Sequence, residues 1–255
     1  MNNLVLATMS EAGRAILAPH LEQVELSKRR NLELVRRPIE YVYFLETGVA
    51  AVVSATDHKR IAVGLIGWDG ASGIGVFLGD DRSPHACEML TDGSGLRIPA
   101  SDLKTLIREH DVIRTHLTRY ALAFYNQAAH TALSNASSAI SRRIARWLLM
   151  MRDRLPDNDM PLTHHTISDM LDIRRPGVTI ALKELGKQNL VEMKRGIIFI
   201  CDREGLEVLA SDFYGLPEME YQRLMGITIS GLAPVSHPRT PHHPKHERAP
   251  EVTYP

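Results

Sequence analysis

At 255 residues, with 30 basic and 30 acidic side chains and a formal charge of zero, the chain can hold one large domain or two ordinary ones. No run approaches the roughly 18 apolar residues of a membrane span, and the N-terminus lacks a charged-then-apolar signal pattern. No membrane partner is therefore expected, and a cytoplasmic location is. Cys87 and Cys201 are too few for a four-thiolate iron–sulfur site, and both read as structural, partly buried thiols.

In chain order, residues 9–21 read as a short helix. Residues 48–95 then hold nine of the seventeen glycines. Among them lie short β-prone runs at Tyr41–Leu45, Val49–Val53, Ile61–Ile66 and Leu96–Ile98. Short strands broken by frequent glycine turns predict an all-β roll or sandwich rather than a parallel sheet. Asp80-Asp81-Arg82 reads as a polar hairpin tip rather than a pair of catalytic carboxylates.

The period then changes. Ile113, Leu117, Tyr120 and Phe124 recur at 4-3-4 spacing, the seam of a coiled-coil-like helix running from about Asp111 to Ser134. The seam continues through smaller or polar residues, Gln127, Ala128, Thr131 and Ala132. Such a stripe packs either on the chain's own roll or on a twin from a second subunit. Symmetric dimers are the commonest oligomers, so a homodimer joined through those first four residues is the expectation. Residues 135–153 predict a further helix whose Ile140, Ile144, Trp147, Leu148 and Met151 face the next module's core.

Residues 162–200 are the most informative. Thr163 is a suitable N-cap for a helix carrying Ile167, Met170 and Leu171 on one face. Asp172-Ile173 breaks that helix, and Pro176 fits the first turn of the next, with Arg175 at its entry. Val178, Ala181, Leu182 and Leu185 form the buried stripe of this second helix. Arg175, Thr179 and Lys183, spaced by four, lie on another face, with Arg174 beside them. Two β-rich runs, 189–193 and 197–200, flank a Lys194-Arg195-Gly196 turn and predict a hairpin. Helix, turn, helix and hairpin make a winged helix-turn-helix. An arginine-led helix suits the major groove, where arginine forks onto guanine O6 and N7. Lys194 and Arg195 are the expected phosphate contacts, and Thr163 and His164 join the expected DNA-binding set. Although the whole chain is neutral, residues 137–200 carry eleven basic residues against seven acidic ones, which fits a site-specific binder.

From about residue 226 the chain is rich in proline and histidine with little to bury, and reads as a disordered tail. His237, His242, His243 and His246 in it read as solvated rather than metal-binding. His85, His110, His116 and His130 are isolated and read as packed or surface residues. His164 and His165 read either as phosphate contacts strengthened by protonation or as plain surface. No Ser/His/Asp, H-E-x-x-H or Walker pattern appears, so no enzyme is expected.

Tyr41-Val42-Tyr43-Phe44-Leu45-Glu46-Thr47-Gly48, together with Leu162 to Ile200, resembles the Crp/Fnr family of bacterial transcription regulators across roughly residues 10–215. The resemblance implies an antiparallel, cyclic-nucleotide-binding-like roll, a dimerisation helix, and base contact by Arg175. It also implies a small-molecule effector, with RNA polymerase as a further partner. The effector position by likeness is Gly70, Ala71, Ser72, Arg82 and Ser83. Here the family's Gly-Glu pair is missing, leaving no acceptor for a ribose hydroxyl, and Pro84 removes a backbone donor. A degenerate nucleotide pocket is expected, with cyclic nucleotide disfavoured and no cofactor. Pro176 and Ile180 also depart from the best-known member, so a different operator is implied.

The resulting expectation is an α+β chain. Residues 1–110 form a jelly-roll sensor-like domain, 111–136 the dimerisation helix, 137–215 the winged helix-turn-helix, and 226–255 the tail. Its function would be transcription regulation through duplex DNA. The rival is a ligand- or partner-binding roll whose winged helix contacts protein.

Overall fold

The structure, a computed structural model, describes residues 2–57 and 59–227. Buried Asn3 fixes the start of the chain. It caps α1 (Leu4–Ala7) by accepting from the Leu6 N–H and donates to the carbonyls of Leu45 and Gly70, both at 2.7 Å. Ser10 caps α2 (Glu11–Leu17). Then follow β1 (Glu22–Leu26), β2 (Asn31–Glu33), β3 (Tyr41–Leu45), β4 (Ala50–Ala55), β5 (Arg60–Ile66), α3 (Ile74–Phe77), β6 (Ala86–Met89) and β7 (Gly93–Pro99). They form two antiparallel sheets, ordered β1-β7-β3 and β2-β6-β4-β5. Strands β3 and β7, neighbours in the first sheet, approach each other too closely for a side chain at one point. A Cβ on Gly95 would lie 2.3 Å from the Phe44 carbonyl oxygen.

Strands β3, β4, β5 and β7 lie where the sequence placed β-prone runs. Strands β1, β2 and β6 were not anticipated. EQVEL, NLE and ACEM are short and each carries at least one acidic residue, at exposed, buried and half-buried positions respectively, so no apolar alternation marks them.

Next come α4 (Ala100–Glu109), the 27-residue α5 (Asp111–Ser137) and α6 (Ile140–Arg152). Helix α5 corrects the expected dimer seam. Ile113, Leu117, Tyr120 and Phe124 are buried against the chain's own roll. The Tyr120 hydroxyl accepts from the Ala71 N–H at 2.9 Å and donates to the Ala71 carbonyl at 3.1 Å. The Gln127 side chain bonds both backbone groups of Leu65 on the outer strand β5, accepting at 2.6 Å and donating at 3.3 Å. An otherwise unpaired sheet edge is thereby satisfied from the helix.

The C-terminal third contains β8 (Asp159–Met160), α7 (His164–Leu171), α8 (Arg175–Lys187), β9 (Val191–Lys194), β10 (Ile197–Ile200), α9 (Arg203–Ala210) and α10 (Leu216–Met225). Three differences from expectation stand out here. The helix expected over 135–153 begins only at Ile140, because Ser138 and Ala139 are extended and end α5. Ile140 itself is 39% exposed rather than core, although Ile144, Trp147, Leu148 and Met151 are buried. Cys201 is exposed, whereas Cys87 is buried. The tail beyond Ile227, with its four histidines, lies outside the described residues.

One core crosses from the roll to the winged helix-turn-helix: Val49, Ala51 and Leu65 pack with Ile144, Leu148, Ile167 and Leu182. Helix α7 lies on β5, and Lys59 pairs with Asp172 at 3.3 Å. Helix α10 lies along α5, and its Tyr221 hydroxyl donates to the Asp69 carbonyl in the roll.

Candidate nucleic-acid interface

The reading helices are held by local chemistry. The Thr163 hydroxyl accepts from the Thr166 N–H at 3.1 Å and starts α7. Asp172 ends that helix in the left-handed region, with φ of 48°. The Ser168 hydroxyl donates to the Ile173 carbonyl at 2.7 Å, and Arg143 donates to the Leu171 carbonyl. The turn thus has fixed partners on both sides. Burial of the Arg143 guanidinium pulls its pKa down, opposed by Asp172.

Arg174 is the N-cap of α8, and Arg175 and Pro176 open its first turn. Val178, Ala181, Leu182 and Leu185 are buried beneath. The side chains of Arg174, Arg175 and Lys183 are exposed and make no hydrogen bond or ion pair among the described residues. Lys187, also exposed, extends the same cationic face toward the helix end. Thr179 differs from these. Its hydroxyl donates to the Arg175 carbonyl at 3.1 Å, and its oxygen lies 3.0 Å from His164 Nδ1, so both side chains already have partners within the protein. His165 pairs with Asp169 at 3.3 Å.

In the hairpin, Lys194 pairs directly with Ile197, leaving Arg195 and Gly196 as the turn, with Gly196 at φ of 76°. The two wing cations are not equivalent. Lys194 Nζ sits 3.4 Å from Glu192 and 4.6 Å from the Phe199 ring centroid. Arg195 is exposed and has no such partner among the described residues.

One residue of this surface was absent from the expected contacts. Ile180 is 59% exposed on α8, one position from Thr179. Its signal in the sequence was an apolar side chain lying off the Val178–Leu185 stripe.

The five residues expected to line an effector pocket do not form an open site. Ala71 and Ser72 are fully buried, and Ser83 nearly so. The Ser72 hydroxyl accepts from the Tyr43 N–H at 3.0 Å. The Gly73 N–H, where α3 begins, donates to the Glu33 carboxylate at 2.7 Å. Ser83 also hydrogen-bonds that carboxylate, whose pKa burial raises despite both bonds. Arg82 stays exposed at the surface, and Gly70 lines a different cavity under α5. A carboxyl group of the chain itself, Glu33, thus already occupies the Gly73 N–H.

A family model described as a Crp-like helix-turn-helix domain matches residues 142–209. No curated protein matches the sequence. Among solved structures, the fold is similar to a Crp/Fnr family regulator from Eubacterium rectale. That pair shares 17% identity and a TM-score of 0.62, covering 81% of this chain and 97% of that one. It is also similar to FixK2 from Bradyrhizobium japonicum, at 21% identity, TM-score 0.63 and coverage of 75% and 98%. CLP from Xanthomonas campestris, described as a c-di-GMP responsive global regulator, aligns at 15% identity, TM-score 0.57 and coverage of 76% and 100%. A roll of two antiparallel sheets, a long helix and a Crp-like helix-turn-helix domain thus give this chain the fold of the Crp/Fnr regulator structures.

Proposed function

We propose that the protein is a cytoplasmic, homodimeric regulator of transcription that reads a palindromic duplex through α8. The observation that carries this reading is the bare cationic face of that helix. The side chains of Arg174, Arg175 and Lys183 stand exposed with no acceptor among the described residues. Guanidinium groups held at a helix entry suit guanine O6 and N7 in the major groove, and Ile180 beside them offers an apolar contact for a thymine methyl. Arg195 at the wing tip meets phosphate, as does Lys194 once it leaves Glu192. Thr163, His164 and Thr179 act through the shape of the reading helices, because their polar atoms are engaged inside the protein. RNA polymerase is the further partner in this reading.

The pairing surface is the outer face of α5. Thr115, Thr118, Leu122, Tyr125, Ala129, Ala132 and Ala136 follow an unbroken 3-4 spacing and are all exposed in the single chain. That is a heptad seam with bulky residues midway and alanines toward the end, where two helices can approach closely. Two reading helices joined this way fall about 34 Å apart on successive turns of duplex.

Selection of bound duplexes from a random library, with purified protein, tests the reading. Enrichment of a palindrome supports it. Absence of any enriched sequence, together with salt-independent capture of a protein by the winged helix, would instead favour a protein-binding module.

A further inference from the structure

A cavity of about 380 Å³ lies where the roll, α5, the end of α6, α9 and α10 meet. That size falls within the range of small-molecule sites, roughly 300–1,000 Å³. Its wall is mainly apolar, and four aromatic residues contribute to it: Trp68, Tyr120, Phe124 and Tyr221. The polar ends of three are already engaged. Trp68 donates to the Asp153 carbonyl at 2.9 Å, while Tyr120 bonds Ala71 and Tyr221 bonds Asp69. Their rings are what remain for an occupant.

The charged groups at the wall decide the sign of that occupant. Asp69 and Arg154 pair at 2.6 Å. Asp153 pairs with Arg203 at 2.9 Å, and Arg203 also holds Glu207 at 2.8 Å. Both arginines therefore have carboxylate partners. Glu218 has none in ion-pair contact among the described residues. One oxygen of its carboxylate accepts from the Gly215 N–H at 2.8 Å. Two cations act on it through space: Arg146 is bonded to Phe213, Thr131 and Gln127, and Arg154 is paired with Asp69. The enclosing protein raises the Glu218 pKa, desolvation being the main cause, yet the side chain keeps accessible surface as part of the cavity wall. An enclosed carboxyl with no cation in ion-pair contact among the described residues, beside aromatic faces, is an arrangement that receives an ammonium group.

We propose that this cavity is an effector site for a small organic amine, with Glu218 receiving the ammonium and the aromatic wall receiving an apolar, ring-sized body. The site joins elements of both modules, since Trp68 and Asp69 belong to the roll and Arg203 and Glu218 to the C-terminal helices. An occupant touching both changes the free energy of their docking, and with it the placing of α8. Calling the occupant an effector rests on the regulatory reading above. Its binding does not.

The test is calorimetric titration of the full chain with 2-phenylethylammonium, 2-phenylethanol and phenylacetate, as three forms of one body. The expected result is that the ammonium binds at least tenfold more tightly than phenylacetate. Glu218→Gln should erase that preference, since glutamine retains an oxygen for the Gly215 N–H. Ala123→Leu, which adds bulk at the wall, should abolish binding of all three while unfolding stays cooperative. No binding by the ammonium, equal binding by phenylacetate, or an unchanged preference in Glu218→Gln would each overturn the site. In parallel, operator affinity is measured with and without the ammonium. Binding that leaves operator affinity unchanged would overturn the effector role, whereas failure to bind DNA under any condition would count against the regulatory reading alone.

Discussion

Replacing Leu122 and Tyr125 together by glutamate is the sharpest test of how the two halves of the proposed assembly meet. In the single chain Leu122 is 47% exposed and Tyr125 is 67% exposed. Fully burying a large apolar side chain contributes about 1.5–3 kcal/mol, so covering these exposed fractions contributes roughly 2–3 kcal/mol per protomer. Two protomers make that about 4–6 kcal/mol, and a tenfold change in Kd corresponds to about 1.4 kcal/mol. The double substitution should therefore raise the dimer Kd by at least about a thousandfold, before repulsion among four new carboxylates is added. Because neither side chain is core, thermal unfolding of the isolated protomer should change little. Sedimentation equilibrium over a concentration series measures Kd directly, and a gel shift on the selected palindrome reports the linked loss of DNA affinity. A dimer of unchanged strength would refute the outer-face seam. If Ile113 or Leu117 substitutions then split the dimer without unfolding the chain, the original inward seam would be restored.

Other outcomes follow from particular contacts. Arg175→Ala should cost about 1–3 kcal/mol of operator binding and relax preference at one base pair, read by repeating the duplex selection. Arg195→Ala should weaken all duplexes alike and reduce the salt slope of log K by about one, whereas Lys194→Ala, already engaged by Glu192, should do less. Gly95→Ala should destabilise the fold by about 3 kcal/mol in urea unfolding, since its Cβ meets a backbone carbonyl that cannot swing aside. Glu33 has a raised pKa in the folded chain, so the folded state holds its proton more tightly than the unfolded chain does. Its favourable share of stability is present below the unfolded value of 4.5 and is lost as pH rises through the higher folded value. Across that window the wild type should lose stability relative to Glu33→Gln, and parallel melting curves for the two would contradict the burial of this carboxyl.

Much of the fold can be read from local chemistry. Thr163, Pro176 and the Val178–Leu185 stripe set the reading helices by capping, a fixed φ and a 3.6-residue period, none of which needs a distant partner. The same holds for the glycine-punctuated strands β3, β4, β5 and β7. The strands and helices that escaped notice lack such marks. Strand β1 is largely exposed, and α10 pairs a low-contrast sequence with a partner far away in the chain.

The face that α5 presents, and the fate of the nucleotide-like pocket, were decided only by packing. The 113–124 stripe and the 115–136 stripe both satisfy heptad spacing, so periodicity cannot tell which one the roll covers. Tyr120 and Gln127 settle it by bonding to backbone at Ala71 and Leu65, more than forty residues away in the chain. Glu33 likewise reaches Gly73 across forty positions of sequence. Sequence by itself fixed the presence of a guanidinium-bearing reading helix, because helix formation and its polar face are short-range properties. Tertiary structure alone decided what is hidden and what is open, because burial depends on residues that meet only once the chain has closed on itself.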